Sequence, residues 1–285
     1  MSKITDLLTG KKPTRLGAID FVNTIPIYSA FESEQAVELI YKSPAELNKA
    51  ILAGKLDISP VSSLCYLQNQ DKLVLVDDLS VSSFGAVESV LFLSTTELTD
   101  PALTSQPIYI PDDSATSVAL LEWALNQSQT GTKPKLTFKT YAADQYEKLM
   151  AEKKSLLIIG DRALFAGKQP LPTGYHKTDL SQHWHQQTGL PFVFAVWVAR
   201  RDWADKHTDA FNWLVIDLIN SKHRFFIETE AFNNGLTEAK KHLALTDQDF
   251  RQYWTLALDY NLGAEHQKSL SEFAAVTGNQ LELAQ

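Results

Sequence analysis

One cysteine, Cys65, stands in 285 residues, which rules out an internal disulfide. It sits in Leu64–Cys65–Tyr66–Leu67 with no His or Lys close in sequence to activate it, so a small packed core residue is expected. Long apolar runs are also missing. No segment approaches the ~20 apolar residues that span a bilayer, and Met1 to Lys12 holds lysines but no stretch of signal-peptide length. A cytoplasmic protein without a membrane partner is the expectation. Basic residues nowhere gather, and the net charge is −8, which argues against nucleic acid as a partner. The pair His183 and His185, flanking Trp184, has no Cys, Asp or Glu at ligand spacing. It reads as a solvated surface pair, and neither a metal nor an organic cofactor is expected.

What is present is an ordinary globular composition, 44% hydrophobic, at a length more comfortable for two domains than for one. Strands are expected at Arg15–Ile19, Val37–Tyr41, Leu56–Pro60, Leu73–Val76 and Glu88–Ser94. Helices alternate with them, first at Ile25–Phe31 and then from Pro44 to Ala53. The second carries Ser43 at the N-cap, Pro44 at N1, Glu46 at N3 and Gly54 as its terminator. A second series follows: strand Ile108–Ile110, helix Thr116–Asn126, strand Leu136–Tyr141, helix Asp144–Lys153 and strand Leu156–Ile159. Such alternation predicts largely parallel pairing. The polar stretch Lys168 to Thr188 separates this series from the apolar strand Phe192–Ala199. Four helical stripes complete the chain, at Trp203–Ile227, Ala231–Leu243, Asp247–Asp259 and Glu265–Val276.

Five strand ends run into turns made of hydroxyl, amide and glycine groups: Asp20–Thr24, Pro60–Ser63, Ser82–Gly85, Asp112–Ser117 and Gly160–Asp161. Three of them lead into helical spacing, which would aim backbone N–H groups at a bound anion. Two α/β lobes joined by crossings near Ser83–Ser89 and Gly189–Val196 fit this order, with residues 1–88 and 194–285 forming one lobe and 89–193 the other. In open α/β sheets the ligand lies beyond the carboxyl ends of the strands, where these turns fall. A hinged cleft of this kind excludes water when it closes.

The same residues carry a resemblance. Gly17-x-x-x-Phe21-x-Asn23-x-x-Pro26, Gly85-x-Val87-x-Ser89-Val90, Ser114-x-Thr116-Ser117, Ile159–Gly160–Asp161-x-Ala163–Leu164, and Trp184 with Thr188–Gly189–Leu190–Pro191–Phe192–Val193–Phe194–Ala195 resemble the chorismate dehydratase family of the futalosine route to menaquinone. The resemblance runs from about Arg15 to the last helices. It implies a type II periplasmic-binding-protein-like α/β fold, two lobes of mixed sheets flanked by helices with the ligand cleft between them. Ala115 departs from the pattern, since many relatives carry Arg there, and Arg162, Arg15 or helix N-termini would have to compensate. The sister enzyme, dihydroxynaphthoate synthase, resembles this fold but has a His base about where Gly160–Asp161 stands.

By that resemblance the substrate is the dianion chorismate, dehydrated to 3-[(1-carboxyvinyl)oxy]benzoate, and a substrate carboxylate takes the proton. Asn23 is the expected catalytic position, with a helix cap as its plain alternative. Ser62, Ser63, Ser83, Gly85, Ser89, Thr116, Ser117, Gly160 and Asp161 are the expected substrate contacts. The hydroxyls serve turn chemistry otherwise, and Asp161 otherwise pairs with Arg162 or Arg15. Glu88 is expected to point away from the site. A passive receptor for small anions is the competing class, because the fold serves both. A transcription-regulator effector domain is disfavoured by the short segment before the first strand.

Overall fold

The computed structural model describes residues 13–31, 37–112, 114–128, 135–279 and 281; the reading of Met1 to Lys12 and the Asp113 position lie outside them. Two five-stranded sheets organise the chain. The first comprises β1 (Thr14–Ile19), β2 (Val37–Lys42), β3 (Ile58–Ser62), β4 (Leu73–Ser83) and a late strand, Phe192–Arg200. The second comprises β5 (Val90–Ser94), β6 (Ile108–Pro111), β7 (Phe138–Tyr141), β8 (Leu156–Ile159) and β9 (His176–Asp179). The late strand is β10, and the spatial orders are β2-β1-β3-β10-β4 and β7-β6-β8-β5-β9.

Pairing is parallel where helices make the connection, as between β1 and β2 and between β6 and β7. It is antiparallel wherever a crossing strand enters. β10 runs against both β3 and β4, and β5 against both β8 and β9. The expectation of largely parallel sheets is corrected here: the strands that carry the chain between lobes break the parallel order, and both sheets are mixed. β10 lies between two neighbours and is buried along most of its length, which explains its apolar run. Trp197 at its centre donates to Tyr28, which donates in turn to the Gly17 carbonyl.

The helix Pro44–Leu52 forms as its signals dictate. Ser43 and Glu46 make a reciprocal capping box, and Gly54 follows with φ +70°. The polar stretch read as a separator instead holds β9 and the helix Leu180–Thr188. β9 is a half-exposed edge strand without apolar alternation, and the helix buries only Leu180, Ser181 and Trp184. Two C-terminal stripes are interrupted. Arg201–Ala204 and Thr208–Ile227 replace one long helix, and Asp247–Gln252 passes into a π-helical turn at Tyr253–Ala257. That turn faces Tyr253 and Trp254 inward, both almost fully buried. Among the described residues no helix is long and apolar enough to cross a membrane.

Cys65 is buried, and burial pushes its thiol up to about 11, far from reactivity at neutral pH. The two histidines sit on the Leu180–Thr188 helix, not in a solvated loop. His183 packs edge-on against Trp123 and burial lowers its pKa, while His185 Nδ1 meets the Leu190 carbonyl. Phe225 packs on Phe226, Phe232 and Trp254 as a core cluster.

Candidate active site

A cleft of about 640 Å³, including its mouth, opens between the lobes. The carboxyl ends of β1, β3 and β8 reach it through Ile19, Ser62 and Ile159, and Phe194 and Ala195 enter from β10. The second lobe adds Ser114, Ala115, Thr116 and Ser117 at the start of the helix Ala115–Ser128, and Gly160 at the start of Gly160–Gly167. Val87, Ser89 and Val90, on the outward crossing, close one wall. Among the described residues, none that lines the cleft is charged or a histidine.

Three hydroxyls on this wall share one feature. The Ser62 hydroxyl accepts from Asn48 Nδ2 at 3.0 Å and from the Cys65 N–H at 3.3 Å. Ser89 accepts from the Tyr253 phenol at 2.8 Å, and Thr116 accepts from the Leu64 N–H at 3.0 Å. None of the three donates to another group among the described residues. A hydroxyl has one proton and two lone pairs, so a hydroxyl whose lone pairs are taken up presents its proton. Ser62, with both lone pairs taken, is fixed as a donor, and Ser89 and Thr116 each keep a proton to give beside one open lone pair, so the wall suits a ligand made largely of acceptors.

Asn23 lines the cleft in a short 3-10 turn, Val22–Thr24, whose backbone is braced on every side. Trp254 donates to the Val22 carbonyl, Tyr260 to the Asn23 carbonyl, and the Thr24 hydroxyl to the Ile19 carbonyl. No side chain caps the helix Ile25–Tyr28, so Asn23 is not serving as its cap. Its side-chain oxygen is buried without a protein partner, an arrangement that costs stability unless a ligand donates to it.

Six of the ten expected positions thus meet on one cavity: Asn23, Ser62, Ser89, Thr116, Ser117 and Gly160. The other four are not on its lining. Ser63 faces the opposite way from Ser62 and donates to the Val193 carbonyl at 2.6 Å. Ser83 donates to the Gly85 carbonyl, so that pair closes its own turn beside the crossing.

Asp161 pairs with neither arginine. Its carboxylate accepts from the Val22 N–H at 3.0 Å, tying the two lobes together. Burial pushes its pKa up to about 6, while the Val22 N–H and His242 pull it down and Asp20 adds to the rise. Arg15 is held by Asp57, and Arg162 by the Ala143 carbonyl and the Tyr146 ring. Neither arginine replaces a guanidinium at Ala115, which leaves neutral donors and helix starts to face an anion. Glu88 binds Lys168 at 2.7 Å and is not part of the lining.

Gly160 has φ +61°, and a Cβ there would stand 2.8 Å from the Phe21 ring across the cleft. The close approach of this helix start to the opposite lobe needs glycine. Sequence reasoning missed Asn48 and Tyr253, which act one layer behind the wall. The available signal was an amide beside the apolar positions Leu47, Ala50 and Ile51 of its helix. The apolar lining from Phe21, Ile159 and Phe194 was also missed, since such residues read as plain core.

A family model described as menaquinone biosynthesis matches residues 14–279. A chorismate dehydratase of Thermus thermophilus is 35% identical over 204 residues, 67% of this chain and 71% of that protein. Another, of Campylobacter jejuni, is 27% identical over 187 residues, 63% of this chain and 64% of that protein. Among solved structures, a protein of Archaeoglobus fulgidus matches with TM-score 0.70 at 15% identity, covering 93% of this chain and 97% of that one. The periplasmic aliphatic sulphonate binding protein of Escherichia coli matches with TM-score 0.64 at 13% identity, covering 97% and 96%. At such identities these structures bear on the fold alone, and that fold is the periplasmic-binding-protein type. With the family model matching almost every described residue and a curated relative above 30% identity across two thirds of its length, the chain belongs to the menaquinone-biosynthesis family.

Proposed function

We propose that this chain is a chorismate dehydratase, a hydro-lyase converting chorismate to 3-[(1-carboxyvinyl)oxy]benzoate. The observation that carries the reading is the wall of Ser62, Ser89 and Thr116: both lone pairs of Ser62 are occupied, so its proton is left for a carboxylate-bearing ligand, and the Ser89 and Thr116 hydroxyls, each accepting one hydrogen bond, keep a proton to give. Two helix starts, at Ala115 and Gly160, add partial positive charge to the same cleft. The family and the identity to curated chorismate dehydratases support the substrate.

The reaction makes modest demands on such a site. The C3 hydrogen of chorismate is vinylogous to the ring carboxylate, the C4 hydroxyl leaves, and the ring becomes aromatic. The electron pair of the C3–H bond becomes a ring double bond, the C4–O bond breaks, and the departing hydroxide takes up the proton released from C3 and leaves as water. Among the described residues no protein base of the usual kind lines the cleft, and in this reading a substrate carboxylate takes the C3 proton. The protein contributes orientation and preorganised dipoles. Asn23 meets the C4 hydroxyl with its amide: the oxygen, which has no protein partner among the described residues, accepts from the bound hydroxyl, and the NH₂ donates to the oxygen as it leaves. Thr116 and Ser117 hold a carboxylate at the helix start, and Ser62 and Ser89 hold polar oxygens opposite. The reading includes a cytoplasmic location, no metal or organic cofactor, and lobes divided as 1–88 with 194–285 and 89–193.

The test is incubation of purified protein with chorismate. Loss of the diene absorbance with appearance of an aromatic product one water lighter is expected. Tight binding of chorismate with no turnover would leave the passive-receptor reading in its place.

A further inference from the structure

Asn48 is not on the cleft lining, yet it makes two bonds to the residue that is. Its Oδ1 accepts from the Ser62 backbone N–H at 3.0 Å, and its Nδ2 donates to the Ser62 hydroxyl at 3.0 Å. The two bonds fix each other. A backbone N–H only donates, so the amide oxygen must face it, and the amide NH₂ must then face the hydroxyl. Ser62 is left no choice: it accepts from Asn48 and from the Cys65 N–H, and its own proton is directed away from both.

We propose that Asn48 is a positioning residue that sets the polarity of the cleft wall, holding the Ser62 hydroxyl as a donor toward the substrate carboxylate. This rests on the dehydratase reading for the identity of the ligand. It concerns a residue that touches no ligand and acts through Ser62.

The informative substitution is Asn48→Asp, which keeps the size and shape. One carboxylate oxygen still accepts from the Ser62 N–H, while the other now accepts the Ser62 proton, so the hydroxyl, one lone pair still taken by the Cys65 N–H, turns the other to the cleft. Removing a charge-assisted contact of this kind weakens anion binding by about tenfold or more. Protonation of the introduced carboxyl restores a donor toward Ser62, so the defect should shrink as pH falls. A merely structural role would not show that pH rescue.

The experiment measures kcat and KM for chorismate, and benzoate affinity by calorimetry, between about pH 5 and 8 for the native protein, Asn48→Asp, Asn48→Ala and Ser62→Ala. Asn48→Asp should raise KM and weaken benzoate about tenfold at the alkaline end, approaching the native values at the acid end. Asn48→Ala should cost less, with no pH rescue, and in a Ser62→Ala background Asn48→Asp should lose its pH dependence. Native-like binding by Asn48→Asp across the range, or an unchanged pH profile in the Ser62→Ala background, overturns the proposal. If the native protein is inert on chorismate the dehydratase reading fails, and the benzoate ratios alone then decide whether Asn48 sets the wall's polarity.

Discussion

Asn23 has its carbonyl held by Tyr260, its neighbour Val22 held by Asp161, and its own side-chain oxygen left over among the described residues. A buried acceptor without a partner weakens the folded state, so its loss should not harm stability. Asn23→Ala is expected to keep or slightly raise the melting temperature while lowering kcat by about a hundredfold or more, the cost of one preorganised transition-state contact. Thermal melts beside steady-state kinetics check both halves, and full activity would remove Asn23 from the mechanism. At this scale the sequence was legible as a class of residue and not as a direction. Ser62 and Ser63 are adjacent and chemically identical, and only the junction of strand and helix turns one to the cleft and the other to Val193. Asp161 was misassigned for a related reason: its partner is a backbone N–H 139 positions away, which no side-chain pattern announces.

Elements whose signals are local were the readable ones. The capping box at Ser43 and Glu46 fixes its helix from four consecutive residues, and the apolar run fixes β10. Elements defined by their neighbours were not. β9 becomes a strand because β5 offers it an edge, and the π turn at Tyr253–Ala257 exists to bring Tyr253 to Ser89 and Trp254 to Val22. The helix beginning at Gly160 supplies this scale's prediction. Gly160→Ala imposes left-handed backbone strain of about 1–2 kcal/mol and pushes a methyl group into Phe21. Calorimetry should show a lower melting temperature, and kinetics a higher KM, because the ring lies across the cleft. Adding Phe21→Leu should recover KM in part but not the strain. Unchanged values in the single variant would mean that this helix start is not held against Phe21.

At the scale of the molecule the two lobes touch, through Val22 with Asp161 and Leu64 with Thr116. The first of these contacts titrates. An acid whose pKa rises on folding from 3.8 to about 6 favours the folded state when protonated. That advantage is full below 3.8 and lost as pH rises through about 6. Asp161→Asn removes the loss while keeping an acceptor for the Val22 N–H. It should therefore be more stable than the native protein at neutral pH, by up to roughly 2–3 kcal/mol, with no advantage below the unfolded pKa. Denaturant titrations across that window check it, and an advantage that grows toward acid pH would reverse the assignment. The two-lobed plan was legible because alternation of strands and helices survives in sequence, whereas contacts between lobes are made by residues far apart along the chain. That no cation lines the cleft among the described residues has a kinetic consequence. A dianion approaching a molecule of net charge −8 meets long-range repulsion with no guanidinium to draw it in. Encounter should then quicken as ions screen that field, so kcat/KM should rise about twofold or more from about 20 to 200 mM salt, opposite to a site that lures its substrate with arginine.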